Sequence, residues 1–448
     1  MTDFVLNPRL SYVKTDKFWC ISASNGDKRV EYRVFVDLNC SYTAAIVKNA
    51  VARRPWFSLI NNLHDDQKCS GNTIIQISDF ENIEWEHVMS GNQMASSYLV
   101  RKGLSRKAQL SLQIRRYISK HPNTCLKTSF PFTLIVETWN AYENMKLDFG
   151  RGTLASFDSF SVSNAPLRSR LDWCLAEIKE TLEDEDKKDW VWILKPSVTN
   201  KGMNIAVVDA WEGVLDYLED EPDIREWVLQ RYIEKPLLVN GYKFHLRVYV
   251  LCVGALRVYV FERILMLLAA HKYDLYDFDD VYKHLTNTAR SAEDIAFKEE
   301  DFVKVLDDLP AYLCKERPRQ YQNVEQAEDA TAKIRAQIRD ITADLFAAYE
   351  NEYTIFAPMS NCFELYGLDF MVDCNMKVSL LEVNPGPDVK QTGDRLRGVI
   401  VDLWDQILSL STNPAPSPQI TPNNNFALVY GKEWSASRVA GGMKFTEE

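Results

Sequence analysis

The sequence has none of the cysteine patterns that build a zinc module or a disulfide framework. Its nine cysteines are scattered, odd in number and never spaced as C-x-x-C. No secretory apolar stretch stands near the start, and the longest apolar run, residues 264–270, is far too short to span a bilayer. These absences predict a reduced, cytoplasmic protein with no zinc module and no membrane partner.

Two phosphate-binding fingerprints are also missing. The strand-and-helix pattern that begins at residue 32 carries no G-x-G-x-x-G, and no G-x-x-x-x-G-K-[ST] occurs in the chain. The net charge is −11, whereas general nucleic-acid binders usually carry a basic surplus. The sequence therefore argues against a dinucleotide fold, a P-loop and direct nucleic-acid binding.

Acidic residues are absent from one long region of this acidic chain. Residues 88–135 contain no Asp or Glu, yet eight basic residues fall there: Arg101, Lys102, Arg106, Lys107, Arg115, Arg116, Lys120 and Lys127. Such a segment could hold an acidic ligand, or it could be a solvated basic helix face. The residues alone leave both interpretations open.

The order of patterns predicts more than one folded unit. A strand followed by a helix near residues 32–54 indicates an α/β segment, and several β-rich runs then occupy residues 190–261. Apolar residues at helical spacing predict an amphipathic helix over residues 326–349. Antiparallel strands, this helix and a later hairpin give an α+β unit, and a Pro/Asn-rich stretch follows residue 410.

The hairpin of residues 366–388 carries two carboxylates where core residues are expected. A turn centred between Asn375 and Met376 places Asp369 directly opposite Glu382, with Asn384 on the same face. Opposed like charges are destabilising unless a cation lies between them, and three oxygen donors suit Mg²⁺. The alternative is a pair of solvent-facing acids on an edge hairpin, which the apolar flanks disfavour.

Strict alternation along the two strands also fixes the other side chains of the hairpin. It puts Val378 and Leu380 on the face of Asp369, and it puts Leu381 and Val383 on the core side.

Basic residues accompany the strands that precede the hairpin. Lys195 ends a strand and Lys201 follows a short polar loop, an arrangement that can hold phosphates but that more often gives solvated lysines. Lys243, His245 and Arg247 alternate along one later strand and so share a face. Three such groups are poor core residues and suit an anionic ligand, although a single histidine is usually structural.

Taken in order, these segments resemble the tubulin–tyrosine ligase family. The resemblance rests on the lysine loop, "LQRYI" (229–233), "KFHLR" (243–247), "HLTN" (284–287), "LDFMVD" (368–373) and "LLEVN" (380–384). It is strong over residues 190–388 and weaker at residues 101–110. "ERILMLLAA" (262–270) and "PDVKQTG" (387–393) are similar to a fungal branch, one member of which associates with mRNA-decapping processing bodies.

The resemblance implies an ATP-grasp fold, with the nucleotide between antiparallel sheets of a central and a C-terminal domain. The implied limits are a small α/β N-terminal domain at 1–105, a central domain with the lysine loop at 106–232, a C-terminal domain with the hairpin at 233–410, and a linker and tail at 411–448.

Roles for individual residues are likewise implied by the resemblance. Lys195 and Lys201 would contact ATP phosphates; Gln230, Arg231, Tyr232 and Ile233 would frame the adenine with Lys243 nearby; Asp369, Glu382 and Asn384 would bind Mg²⁺. Lys243 and Arg247 are the expected catalytic groups. Substrate binding is expected of Arg247, His245, Thr286 and Asn287, and of the basic residues Arg106, Lys107, Arg115 and Arg116, which would face an acidic tail.

The implied reaction is an ATP-dependent ligation through an acyl phosphate, best matched to adding tyrosine to the α-tubulin C-terminus. A polyglutamylase or glycylase is one alternative. An ATP-binding scaffold without ligase activity, associated with mRNA-decapping proteins, is another. The chain departs from tyrosine ligases at His245, where they have Asp, and at Leu267, where they have a substrate-binding Arg.

Overall fold

The computed structural model describes residues 11–15, 18–22, 32–63, 73–137, 166–198, 203–221, 223–286, 302–389, 396–412 and 425–431. Its strands are β1 Ser11–Thr15, β2 Phe18–Ser22, β3 Tyr32–Asp37, β4 Phe57–Ile60, β5 Thr73–Ser78, β6 Gln93–Ala95, β7 Thr133–Glu137, β8 Trp192–Pro196, β9 Ala206–Val208, β10 Glu226–Arg231, β11 Leu238–Val239, β12 Tyr242–Val253, β13 Arg257–Phe261, β14 Leu265–Leu268, β15 Val303–Val305, β16 Phe363–Val372, β17 Val378–Pro385 and β18 Phe426–Gly431.

The helices in the same residues are α1 Ser41–Ala52, α2 Trp85–Met89, α3 Lys102–Ser105, α4 Lys107–Lys120, α5 Leu126–Ser129, α6 Pro166–Glu183, α7 Trp211–Asp220, α8 Val281–His284, α9 Leu309–Glu316, α10 Val324–Ala347 and α11 Arg397–Thr412, with 3₁₀ turns at Phe80–Asn82 and Leu306–Asp308. None of these helices is both long enough and apolar enough to cross a membrane.

The first unit is a parallel sheet in the order β4-β3-β5-β6. Val34 of β3 and Ile75 and Ile77 of β5 are fully buried, and they pack with Ile46 and Val47 of α1. Parallel strands need a crossover connection, which α1 supplies between β3 and β4. The predicted α/β segment is thus present at this end of the described chain.

A four-stranded antiparallel sheet in the order β7-β10-β8-β9 forms the second unit. Its core joins Leu194, Trp227 and Leu229 of the sheet to Leu175 of α6 and Leu215 of α7. The helices cover one face of the sheet. Lys195 and Gln230 are buried outside this cluster.

The third unit is an eight-stranded sheet centred on β12, a twelve-residue strand. One edge of β12 pairs with β13 and β14, and its other edge pairs with β16, which continues into β17. The predicted amphipathic helix is α10, and it buries Ile334, Ile338, Ile341 and Leu345 in the main core. The antiparallel α+β prediction is confirmed.

The segment assigned to a linker and tail contains a strand that the sequence analysis missed. Residues 426–431 form β18, which pairs with β13, and Phe426 packs against Phe261 with their ring centroids 5.0 Å apart. This short apolar run follows a Pro/Asn-rich stretch, and the composition of that stretch hid it. The predicted domain limits otherwise stay predictions.

A buried ion pair joins the segment before α4 to the central sheet. Glu364 of β16 is 1% exposed and accepts hydrogen bonds from the Arg101 guanidinium, the Tyr98 N–H at 3.1 Å and the Tyr366 hydroxyl at 2.5 Å. Burial raises the pKa of Glu364, while Arg101 acts in the opposite direction. Arg101 also lies over the Phe80 ring, 4.2 Å from its centroid.

Replacing Arg101 by leucine should therefore destabilise the protein by about 3 kcal/mol, because Glu364 is left buried without its cation. Lys102→Leu is the matched control, since Lys102 is exposed and such changes usually cost no more than about 0.5 kcal/mol. Adding Glu364→Gln to the Arg101 variant should recover part of the loss. Urea unfolding measures all three, and equal midpoints for the two single variants would contradict the assignment.

Candidate functional site

The site begins at the hairpin of β16 and β17. Asp369 lies opposite Glu382, as predicted, but the register shifts immediately after this pair, so that Phe370 faces Leu380. Leu381 is the extra residue of this β-bulge. Val378 and Leu380 are consequently buried in the main core, and their predicted place on the face of Asp369 is wrong. The bulge lets the apolar half and the acidic half of β17 face different surroundings.

The paired carboxylates are contacted by two cations, which balance their charge, and by one amide, which donates hydrogen bonds to both. Arg247 on the neighbouring β12 donates from Nε to Asp369 Oδ1 at 2.5 Å and from Nη2 to Oδ2 at 3.1 Å. Lys107 Nζ lies 3.0 Å from Glu382 Oε2. Asn384 Nδ2 donates to both carboxylates, at 3.2 Å to Asp369 and 3.0 Å to Glu382.

The pKa values of the two carboxyl groups are shifted in opposite directions. Burial raises the pKa of Asp369 to about 7, although Arg247 lowers it. Burial would also raise the pKa of Glu382, but Lys107, Lys195 and the hydrogen bond from Asn384 together hold it below its usual range. The Glu382 carboxyl group is therefore ionised at neutral pH.

Lys195 enters this group from the second sheet. Its side chain is buried on β8, and Nζ donates to Gln230 Oε1 at 2.9 Å, while Gln230 Nε2 donates to Thr133 Oγ1 at 3.1 Å. Burial lowers the pKa of Lys195 to about 8, against the opposing effect of Glu382. An anion bound beside Lys195 would stabilise the protonated, charged form of this lysine.

A second buried lysine lies where the two sheets meet. Lys243 of β12 donates to the Tyr232 hydroxyl at 2.7 Å and to the His284 carbonyl oxygen at 2.9 Å. Its ammonium group also lies over the Tyr232 ring, 4.2 Å from the centroid. Burial, followed by the charge of Lys195, lowers the pKa of Lys243 well below its usual value.

His245 lies between Lys243 and Arg247 in sequence and is also buried. Its Nδ1 is 2.6 Å from Thr286 Oγ1, and its Nε2 is 3.7 Å from Asp369 Oδ1. Burial, reinforced by Arg247, lowers the pKa of His245 to about 3, so the ring is neutral at physiological pH. Across the strands it pairs with Leu267 of β14, which is 4% exposed.

Beside the two lysines, an apolar cluster spans the gap between the second sheet and the segment around α8. Val191, Ile193 and Tyr232 are its buried members, and partly buried Val207 and Leu285 pack against them. Such a surface, flanked by polar groups at fixed positions, suits the flat ring of a ligand whose polar end lies near the lysines.

Several predicted residues lie elsewhere. The Arg231 side chain is exposed and stacks on Trp190, with Cζ 3.9 Å from the ring centroid, on the opposite side of the strand from Gln230. Exposed Arg115 donates to the Thr133 carbonyl oxygen at 2.8 Å, and exposed Arg116 lies 3.7 Å from Glu352. These side chains do not join the buried group.

The remaining predictions are placed as follows. Arg106 is half-buried at the N-cap of α4, and Ile233 is half-buried after β10. Lys201 and Asn287 lie outside the described residues. Lys107, predicted to face an acidic substrate, contacts Glu382 of the hairpin, and its substrate role stays a prediction.

Three participants were missed from the sequence. Thr133 holds Gln230, His284 contacts both Lys243 and Tyr232, and Ser197 accepts the Lys107 N–H on its carbonyl oxygen at 3.2 Å and the Ala108 N–H on Oγ at 3.1 Å. Only His284 carried a signal, because it begins the "HLTN" segment. Thr133 and Ser197 act across sheets, which no local pattern reveals.

The hairpin carboxylates are the candidate ligands of a magnesium ion. No three His, Cys, Asp or Glu side chains within the described ranges are placed to hold a metal unaided. Asp369 and Glu382 nevertheless offer the hard oxygen donors that Mg²⁺ prefers, and phosphate oxygens commonly complete its shell. Asn384 turns its Nδ2 towards both carboxylates, so its amide must rotate before its oxygen can face an ion there. Arg247 and Lys107 already balance the charges of the two carboxylates. A divalent cation would therefore add positive charge, which a polyanionic ligand such as a phosphate chain would compensate. The residues fit such an ion.

Comparison with known proteins identifies relatives of this arrangement. The model of the tubulin-tyrosine ligase family matches residues 105–421. A probable tubulin–tyrosine ligase, PBY1, of Saccharomyces cerevisiae is 28% identical over 80% of the chain, and a probable tubulin–tyrosine ligase of Schizosaccharomyces pombe is 31% identical over 80%. The chain spans about half (49%) of the first relative's length and 87% of the second's.

Among solved structures, the chain is similar to the C-terminal domain of K. lactis Pby1, described as an ATP-grasp enzyme interacting with the mRNA decapping enzyme Dcp2. The TM-score is 0.63 at 26% identity, and the match covers 90% of this chain and all of that one. The predicted ATP-grasp fold is thereby confirmed.

Gly367 is required for the placement of Arg247. A Cβ atom at this residue would stand 2.8 Å from Pro387 Cβ and 3.1 Å from Arg247 Cδ, so either the loop or the guanidinium must move. Gly367→Ala should lower the melting temperature by several degrees and weaken ligand binding at the site. Gly398→Ala is the matched control, because a Cβ there meets nothing within 4 Å. Equal melting temperatures would show that Arg247 does not need this close approach.

Proposed function

The chain belongs to the tubulin–tyrosine ligase family, and we propose from this premise that it is an ATP-dependent ligase that joins an amine to a protein carboxylate. One observation carries the proposal. Buried Lys195 and Lys243 and half-buried Arg247 are brought together from two sheets beside buried Asp369 and half-buried Glu382. Buried charges on this scale are costly unless they serve a charged ligand.

The proposed roles follow from the position of each group. Lys195 and Lys243 bind the phosphates of ATP, and the apolar cluster around Ile193 and Tyr232 receives the adenine. Asp369, Glu382 and Asn384 would hold Mg²⁺, which would neutralise phosphate charge. The protein's own contribution is to position groups and to keep water out of a closed site.

The proposed reaction has two steps. An acceptor carboxylate attacks the γ-phosphorus of ATP, the bond to ADP breaks, and an acyl phosphate forms on the acceptor. The amine then attacks the acyl carbon, loses a proton and displaces inorganic phosphate, which leaves an amide bond. Arg247 is proposed to orient the acceptor, because its bonds to Asp369 use only two of the five N–H groups of the guanidinium.

Tyrosine and the C-terminus of α-tubulin are the proposed amino acid and acceptor. The basic residues of α4 support an acidic acceptor tail, since Arg115, Arg116 and Lys120 are exposed on this helix. The two fungal relatives are each described as a probable tubulin–tyrosine ligase. A cytoplasmic location belongs to the same proposal.

A second candidate is an ATP-binding module that works within an mRNA-decapping assembly without ligating anything. Leu267 favours this candidate, because the residue is buried and apolar. Tyrosine ligases carry a substrate-binding arginine at the corresponding position. The K. lactis neighbour, which interacts with a decapping enzyme, supports the same candidate.

The carboxylate pair gives the first test. Asp369→Asn and Glu382→Gln should each weaken Mg²⁺-dependent ATP binding at least about tenfold, since a hard cation loses a charged ligand. Asp373→Asn is the control, because Asp373 belongs to the same hairpin but its side chain accepts hydrogen bonds from the turn N–H groups of Asn375 and Lys377. Calorimetric titration with ATP and Mg²⁺ measures the affinities. Wild-type affinity in both site variants would refute the metal assignment.

Ligation itself needs a second experiment. Purified protein is incubated with tubulin, ATP, Mg²⁺ and, in turn, labelled tyrosine, glutamate and glycine. Incorporation of tyrosine only is expected, and it should disappear with Arg247→Lys, which cannot make the paired hydrogen bonds.

The other outcomes separate the alternatives. Incorporation of glutamate or glycine would identify a side-chain-modifying ligase. ATP binding without incorporation of any amino acid, together with capture of a purified decapping enzyme, would favour the scaffold and overturn the ligase proposal.

A further inference from the structure

Three buried polar side chains form a chain of hydrogen bonds across the second sheet. Lys195 Nζ donates to Gln230 Oε1 at 2.9 Å, and Gln230 Nε2 donates to Thr133 Oγ1 at 3.1 Å. Thr133 Oγ1 in turn donates to the Pro131 carbonyl oxygen at 2.8 Å. Among the three, only Lys195 has a proposed role in binding phosphates.

We propose that Thr133 is a positioning residue for Lys195, and that its hydroxyl group, acting through Gln230, holds the ammonium group where it meets the phosphates of ATP. The inference rests on the proposed function, because it needs phosphates beside Lys195. It explains how a lysine on β8 is oriented by a residue on β7, two strands away in the sheet.

The Pro131 end of the chain fixes the direction of every bond. A carbonyl oxygen only accepts, so the single hydroxyl proton of Thr133 is used there and the hydroxyl oxygen is left to accept. Gln230 therefore turns its NH₂ group to Thr133 and its oxygen to Lys195, whose ammonium group only donates. A reversed amide would place two donors against each other at the lysine. Thr133 thus selects the orientation of Gln230 that can hold Lys195.

The backbone brings the three side chains to one face of the sheet. Gln230 stands directly opposite Thr133 on one side and Ile193 on the other, and Lys195 lies two positions along the strand from Ile193. Because side chains alternate along a strand, the three polar residues point to the same side. Arg115 of α4 donates to the Thr133 carbonyl oxygen at 2.8 Å, which anchors the start of β7.

This arrangement prepares Lys195 for an anionic ligand. The bond to Gln230 uses one of the three N–H groups of the ammonium group. A flexible lysine side chain loses rotamer freedom when it binds a phosphate, and a side chain that is already held in place loses less. Removal of the Thr133 hydroxyl group should therefore weaken the binding of the phosphates and leave the binding of the nucleoside unaffected.

The test compares the affinities of the full chain for ATP and for adenosine in the presence of Mg²⁺, by calorimetric titration with ATP and by competition with adenosine. Thr133→Val keeps the shape of the side chain and removes the hydroxyl group. ATP affinity should fall about tenfold, while adenosine affinity should stay unchanged. Thr133→Ser, which restores the hydroxyl group, should recover the wild-type ratio of the two affinities.

The matched control is Thr342→Val. Thr342 is also buried and donates to one carbonyl oxygen, that of Ile338 at 2.7 Å, but it belongs to α10, outside the second sheet. This variant should keep the wild-type ratio. Equal losses of ATP and adenosine affinity in Thr133→Val would indicate general damage to the sheet and would overturn the inference.

A double variant shows whether the effect acts through the lysine. In a Lys195→Met background, adding Thr133→Val should cause no further loss of ATP affinity, because the effects of residues in one hydrogen-bond network are not additive. A second tenfold loss would contradict the proposed role of Thr133.

The outcomes separate this inference from the proposed function. Wild-type ATP affinity in Lys195→Met, or no ATP binding by the unaltered chain, would overturn the proposed function of the site. Loss of ATP affinity in Lys195→Met with an unchanged ratio in Thr133→Val would overturn this inference alone. If Thr133→Val fails to fold, Thr133→Ala removes the same hydroxyl group and decides by the same ratio.

Discussion

The pairing of Arg247 with Asp369 is the interaction on which the rest of the site depends. The two residues face each other across β12 and β16, so the backbone register of the central sheet sets their contact. Two adjacent carboxylates, one buried and one half-buried, would otherwise repel each other and favour protonation. Arg247 compensates one and Lys107 compensates the other. The hairpin can therefore fold with both acids inside before any ligand arrives.

This charge balance explains why the site draws on the whole chain. The anionic half is local, because three donors come from sixteen consecutive positions of one hairpin, residues 369–384. The cationic half is dispersed over α4, β8 and β12. Each cation stands on its own element: α4 and β12 pack in the main core, whereas β8 packs in the core of the second sheet. A change at a distant element can thus alter the site while the hairpin stays intact.

The same division decides what could be predicted from the sequence. The opposition of Asp369 and Glu382 followed from alternation and one turn, both local properties. The bulge at Leu381 did not, since alternation assumes an unbroken register. The contact of Lys107 with Glu382 joins residues far apart in sequence, so no local pattern indicates it. A basic segment alone is equally typical of a solvated helix at the surface. The strand at residues 426–431 was hidden by the composition of the stretch before it.

Ser197, at the end of β8, has a mechanical consequence. Its carbonyl and hydroxyl oxygens accept the first N–H groups of α4, so the strand that carries Lys195 and the helix that carries Lys107 are tied end to end. An anion that pulled Lys195 towards itself would carry the start of α4 with it, and with that the ammonium group beside Glu382. Displacement of the second sheet would in this way alter the charge beside Glu382 on the third sheet.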